Sequence, residues 1–148
     1  MNKAPIFEIE LPIISKLISE DLILKYAEIS GDFNLVHIDP VFAKNSVFGG
    51  IVAHGMMTLG FIYNMLTVHF GIHWLKTGKL NVKFKIPARP GDKLATFGRI
   101  IQDDEDQCQR RIQCSIALIN TVTKQELIEG TATLQMATTR RPNGDRSD

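Results

Sequence analysis

Cysteine is scarce in this 148-residue chain: there are two, Cys108 and Cys114. Both fall in one expected strand, where six residues at about 3.3 Å each put them roughly 20 Å apart, beyond disulfide reach. With no disulfide frame and no signal-like pattern in Met1-Asn2-Lys3-Ala4-Pro5, the expected location is a reducing cytoplasm. Charge of one sign is also missing. Seventeen Lys and Arg against sixteen Asp and Glu leave a formal net charge of +1, so no broad basic field exists to attract nucleic acid or an anionic membrane. A spanning helix needs about 20 predominantly apolar residues, and the one candidate run, Val47 to Ile72, is interrupted by His54, Asn64 and His69. Internal repeats and interdomain linkers are absent as well. What remains, at 44% hydrophobic and 22% charged residues, is one ordinary globular domain large enough to bury a core.

Periodicity outlines that domain. Ile6 to Leu11 alternates as a short strand, with Phe7, Ile9 and Leu11 on one face. Ser19 is placed to cap a helix whose first turn holds Glu20 and Asp21 and whose apolar stripe is Leu22, Ile23, Tyr26, Ala27 and Ile29 or Ser30. A long apolar helix is expected from Gly55 to Phe70, stopped or bent at Gly71, with His73-Trp74 starting an exit. Four strands follow. Lys79 to Ile86 turns Leu80, Val82, Phe84 and Ile86 to one face; Lys93 to Ile101 ends at an acidic turn, Asp103 to Asp106. Cys108 to Ile119 carries Ile112, Cys114, Ile116 and Leu118 inward, and Glu126 to Ala137 carries Ile128, Ala132, Leu134 and Met136. This order predicts an α+β fold, an antiparallel sheet wrapped around a long central helix. The domain is expected to span residues 1–137, leaving 138–148 as a polar, disordered tail.

Tyr26 to Gly60 is the stretch that carries chemistry. Asp32 and His37 are five residues apart, about 140° apart on a straight helix, so they converge only if the chain leaves the helix between them. Ser30-Gly31-Asp32 offers that exit, because glycine accepts the left-handed conformation that ends many helices. Asp39-Pro40 reads as an N-cap followed by proline at the first helical position. The pair therefore sits on a constrained loop between two helices, beside the start of the long apolar helix. That start has no Ser, Thr, Asp or Asn to cap it, since Ile51-Val52-Ala53-His54 precedes it. Its first N–H groups need a partner, and a ligand oxygen would serve, helped by the helix dipole and the bare Gly55.

These residues resemble a known family. The run Y-A-x-x-S-G-D-x-N-x-x-H-x-D from Tyr26 to Asp39, then A-x-x-x-x-F-G from Ala43 and A-H-G-M from Ala53, is similar to the hydratase 2 motif of the MaoC-like dehydratases, the (R)-specific enoyl-CoA hydratases of hotdog fold. The resemblance implies that Asp32 and His37 are the catalytic pair, that Asn34 supports their loop, and that the Gly55 N–H holds the thioester carbonyl. It implies reversible hydration of a trans-2-enoyl thioester to the (R)-3-hydroxyacyl thioester, the carrier being coenzyme A or acyl carrier protein. No cofactor and no metal are required, and a homodimer or higher homo-oligomer with its sites at the interface is expected. One departure stands out: Leu35 occupies a position where the family commonly has proline, which predicts a less rigid loop.

Each residue also has a plainer reading. Asp32 by itself is a turn former, Asp39 an N-cap, and His54 a structural histidine with one hydrogen bond, although a third catalytic group is the alternative. A metal set of His37, Asp39 and His54 matches no zinc spacing. Lys79, Lys83, Lys85 and Arg89 read as contacts to coenzyme A phosphates or simply as a solvated strand face. The methionines of the long helix read as core or acyl-pocket lining. Two rival functions remain: a hotdog thioesterase, and a non-catalytic acyl-thioester-binding partner subunit, against which the presence of both Asp32 and His37 argues.

Overall fold

The computed structural model describes residues 9–138. Five antiparallel strands form one sheet in the order β1-β3-β4-β5-β2: β1 Ser15–Leu17, β2 Lys79–Phe84, β3 Lys93–Glu105, β4 Gln109–Asn120 and β5 Glu126–Ala137. Five helices accompany it: α1 Glu20–Ser30, α2 Leu35–Ile38, α3 Pro40–Lys44, α4 Gly55–Phe70 and α5 Ile72–Thr77. The α4 helix lies against β3 and β4, and α5 against β5. Ile112, Cys114, Ile116 and Leu118 alternate inward along β4, and Ile128, Ala132 and Leu134 along β5, all buried as period 2 requires. Ile62, Met65 and Leu66 of α4 close onto them at 0% exposure. This is the α+β arrangement expected from the order of elements.

The N-terminal edge differs from expectation. The first strand is Ser15–Leu17, paired with β3 from Ser15↔Ala95 to Leu17↔Lys93, a segment that the alternation did not pick out. Of the expected strand Ile6 to Leu11, residues 6–8 lie outside the described residues; Ile9 to Leu11 does pair with β3, through a Glu10↔Arg99 antiparallel bridge flanked by the Ile100 N–H donating to the Ile9 carbonyl at 3.0 Å and the Leu11 N–H to the Gly98 carbonyl at 2.8 Å. Leu11 is buried there, whereas Ile9, nearer the end of the described chain, is 44% exposed. Alternation found the extended chain at Ile9 to Leu11 but not the three-residue strand after it.

In α1, Ser19 caps as expected, its hydroxyl accepting from Leu22 N–H at 3.1 Å, and Gly31 ends the helix at φ 76. Ile23 and Ala27 face the core, whereas Ile29 is 85% exposed, about 240° round the helix from Ile23. Gly71, at φ 56, ends α4, but His73 and Trp74 continue in α5 rather than leaving helix. Trp74 is buried there, so close to Gly78 that a Cβ on Gly78 would meet its ring at 2.3 Å. The strand β3 runs through the expected acidic turn to Glu105, because Asp103 pairs with Arg110 across the ladder. Cys108 accordingly lies in the turn just before β4, exposed, with both cysteines free. Among the described residues no helix is long and apolar enough to cross a membrane. The expected tail, Thr138 apart, falls outside the described residues.

Candidate functional site

The chain after α1 is shaped by local hydrogen bonds. Asp32 N–H donates to Ser30 Oγ at 3.2 Å, and Asn34 N–H donates to Asp32 Oδ1 at 3.2 Å. Asn34 Oδ1 in turn accepts from Val36 N–H and caps α2. His37 is therefore not in an open loop but in a one-turn helix. Leu35 is the first residue of that helix, the position where proline is favoured for its preset φ; the Asn34 cap sets the turn in its absence. Asp39 caps α3, its Oδ1 accepting from Val41 and Phe42 N–H groups at 3.0 Å.

Long-range bonds then fasten this segment to the start of α4. Val52 N–H donates to the Val36 carbonyl at 3.2 Å, Ala53 N–H to the Ala88 carbonyl at 2.8 Å, and His37 Nδ1 lies 2.6 Å from the Val52 carbonyl. A carbonyl only accepts, so His37 Nδ1 carries the hydrogen and the neutral ring holds its lone pair on Nε2. His54 Nε2 donates to the Asp32 carbonyl at 2.9 Å by the same logic. The two imidazoles stack with centroids 3.8 Å apart and planes 27° apart.

One ligating atom from each of Asp32, His37 and His54 falls within 4.8 Å of the other two. A water at about 2.8 Å from both a carboxylate and an imidazole spans such a gap. A metal ion fits less well. Near-parallel rings send their in-plane lone pairs side by side rather than to one point, and each ring already spends a nitrogen on a carbonyl. Asp39, the third member of the metal set that the spacing disfavoured, caps α3 as its Asp-Pro sequence predicts.

The N-terminus of α4 opens onto the same place. No side chain caps it, and the first helical bonds run from Met57 and Thr58 N–H to the His54 carbonyl at 3.1 and 3.2 Å. The N–H groups of Gly55 and Met56 are left at the positive end of the dipole. Two cavities meet there. One, about 420 Å³, is lined by Tyr26, Asp32, His54 and Met56; the other, about 480 Å³, by His37, Phe48, Thr58 and Ile86. Gly55 and Phe84 line both. Phe84, on the apolar face of β2, is 49% exposed and its ring lies over Gly55, where a Cβ would meet Cε1 at 3.3 Å. Period 2 places a residue on a face and cannot distinguish core from cavity wall.

The four cations are differently engaged. Lys85 bridges Glu126 and Glu129 at 3.0 and 3.1 Å, and those carboxylates raise its pKa. Arg89 donates through Nη2 to the Phe48 carbonyl, securing the turn before α4. Lys79 and Lys83 remain on an exposed strand face.

Comparison with known proteins places this geometry. Residues 2–124 match the family described as "MaoC like domain". An (R)-specific enoyl-CoA hydratase of Rhodospirillum rubrum is 30% identical over 125 residues, covering 83% of each chain. The peroxisomal hydratase-dehydrogenase-epimerase of Saccharomyces cerevisiae is 37% identical over 93 residues, which are 63% of this chain and 9% of that much longer protein. Among solved structures, the (R)-hydratase from A. caviae superposes with a TM-score of 0.72 at 21% identity, over 86% of this chain and 93% of that one. With its polar turn, stacked histidines and open α4 terminus set on an antiparallel sheet, the chain belongs to the MaoC-like dehydratase family and has its hotdog fold.

Proposed function

We propose that the protein reversibly hydrates trans-2-enoyl thioesters to (R)-3-hydroxyacyl thioesters, with Asp32 and His37 as its proton-transfer pair. The observation that carries this reading is the spacing of the Asp32 carboxylate and a His37 ring nitrogen, within 4.8 Å of each other beside an uncapped helix terminus. Hydration needs a water activated at C3, a proton for C2 and a stabilised enolate oxygen. A water between the pair loses a proton to one of them while its oxygen bonds to C3. The C2=C3 electrons move onto the thioester oxygen, where the Gly55 N–H and the α4 dipole stabilise the charge. The enolate then collapses as a proton from the pair adds to C2. His37 Nε2 and the second carboxylate oxygen of Asp32 are the groups left to take part, because His37 Nδ1 and Asp32 Oδ1 hold backbone groups. The thioester lies across Gly55 with one arm in each cavity, its carrier being coenzyme A or acyl carrier protein. At least a homodimer is the working form, in keeping with the apolar residues that α4 and β2 leave uncovered. Its place is the cytoplasm, consistent with two free thiols.

Crotonyl-CoA tests the reading. Native protein is expected to remove the conjugated thioester absorbance without releasing thiol, and Asp32→Asn and His37→Ala are each expected to lower the rate about a thousandfold while retaining the fold. Thiol release in step with the absorbance loss would transfer the assignment to a thioesterase. Inertness toward crotonyl-CoA and longer enoyl thioesters would leave a binding or partner subunit.

A further inference from the structure

His54 takes no part in the hydration as written, yet it is 2% exposed and its Nδ1 has no hydrogen-bond partner among the described residues. A buried imidazole with an unpaired nitrogen is unfavourable, and most buried polar atoms in folded proteins avoid that state. A ring chosen only to fill space would be apolar. Its contacts indicate what else it does. Nε2 donates to the Asp32 carbonyl at 2.9 Å, one face stacks on His37 at 3.8 Å, and Tyr26 packs against it at 4.8 Å with planes tilted by 53°.

The turn that carries Asp32 is otherwise held by bonds to its own neighbours, Ser30 Oγ and Asn34 N–H. Those bonds join the turn to α1 and to the start of α2 but do not reach the α4 terminus. Asp32 is exposed, so packing does not fix it either. The bond from His54 crosses 22 residues and joins the Asp32 backbone to the residue just before Gly55. His37 reaches the same segment through the Val52 carbonyl. All three groups of the proposed reaction are thus referenced to residues 52–55, and among the described residues the direct hydrogen bond from that segment to Asp32 is the one from His54.

We propose that His54 is a positioning residue whose Nε2–H, by holding the Asp32 carbonyl, keeps the Asp32 carboxylate one water's distance from His37. The inference deepens the hydration reading and rests on it for its kinetic consequence. Proximity arguments set the scale, since misplacing a reacting group by about 1 Å costs up to about a hundredfold.

The experiment compares the native protein with His54→Phe, which keeps a buried ring and loses the donor, and His54→Gln, which keeps an N–H of similar reach and loses the ring. Two readouts are used: crotonyl-CoA kinetics, and amide hydrogen exchange of residues 31–38 followed by mass spectrometry. His54→Phe is expected to lower kcat about tenfold or more with KM within about threefold, and to speed exchange in that segment about tenfold. His54→Gln is expected to restore both to within about threefold of native. A folded His54→Phe with native kcat and native exchange would overturn the proposal, as would a His54→Gln impaired as much as His54→Phe. If His54→Phe does not fold, His54→Gln decides: near-native values in both readouts support a donor role, and losses in both overturn it. If native protein lacks hydratase activity while the exchange pattern holds, the hydration reading falls and the anchoring role of His54 stands.

Discussion

At Gly55 the absence of a side chain has a measurable use. A Cβ there would meet the Phe84 ring at 3.3 Å, closer than ordinary van der Waals contact, at the point where the thioester carbonyl is proposed to dock. Gly55→Ala is expected to reduce kcat/KM for crotonyl-CoA about tenfold, and adding Phe84→Leu, which shrinks the opposing ring, to recover most of that loss. Full activity in Gly55→Ala alone would remove Gly55 and Phe84 from the substrate path. The two cysteines differ just as sharply. Burial pushes the Cys114 thiol up to about 12, whereas Cys108 is exposed in its turn. Iodoacetamide at about pH 8 is expected to modify Cys108 and spare Cys114 in the folded protein, as read by peptide mass spectrometry. A thiol raised in the folded state favours folding fully below its unfolded value of about 9, and that contribution is lost as pH rises toward 12. Urea midpoints are therefore expected to fall above about pH 9.

Among the elements, β2 depends on how closely β5 approaches it. A Cβ on Gly130 would lie 2.1 Å from the Asn81 carbonyl oxygen and 2.8 Å from the Val82 Cα, both backbone atoms that cannot swing aside. Gly130→Ala is expected to destabilise the fold by about 3 kcal/mol or more in urea unfolding, through separation of the β2–β5 pair. The far end of the β3–β4 hairpin is held differently. Arg110 hydrogen-bonds Asp103 and keeps its carboxyl below the usual range. A depressed carboxylate stabilises above its unfolded value of about 4, and the effect is lost as pH falls through the lower folded value. Asp103→Asn should flatten that part of the acid limb. Helices with local signals were legible in the chain: Ser19 and Asp39 cap as read, and Gly31 and Gly71 end helices as read. The β1 edge was not, because an edge strand of three residues is chosen by what β3 offers it, and nothing in residues 6–17 encodes that choice locally.

On the scale of the whole molecule, a helix as apolar as α4 calls for cover on most of its surface, yet Met56 is 63%, Val68 62% and Tyr63 43% exposed. The sheet covers one side of the helix and leaves the other apolar. Covering that side with a second copy is the arrangement proposed above. Sedimentation velocity is expected to show a dimer, and Val68→Glu to shift it toward monomer, since a carboxylate buried unpaired is costly. A native monomer at all concentrations would end that proposal.

The sequence by itself determined the class of fold, the inward faces of β4 and β5, the turn carrying Asp32 and Asn34, and the uncapped start of α4. Each depends on periodicity or on contacts within a few residues, and such information is complete in a local stretch of chain. Only the tertiary structure decided that His54 bonds the Asp32 carbonyl, that the Val52 carbonyl sets the His37 tautomer, that Phe84 overlies Gly55, and that Lys85 is occupied by Glu126 and Glu129. Those contacts join residues 15 to 44 positions apart. Their partners are selected by how the sheet and helices pack, which no local pattern specifies.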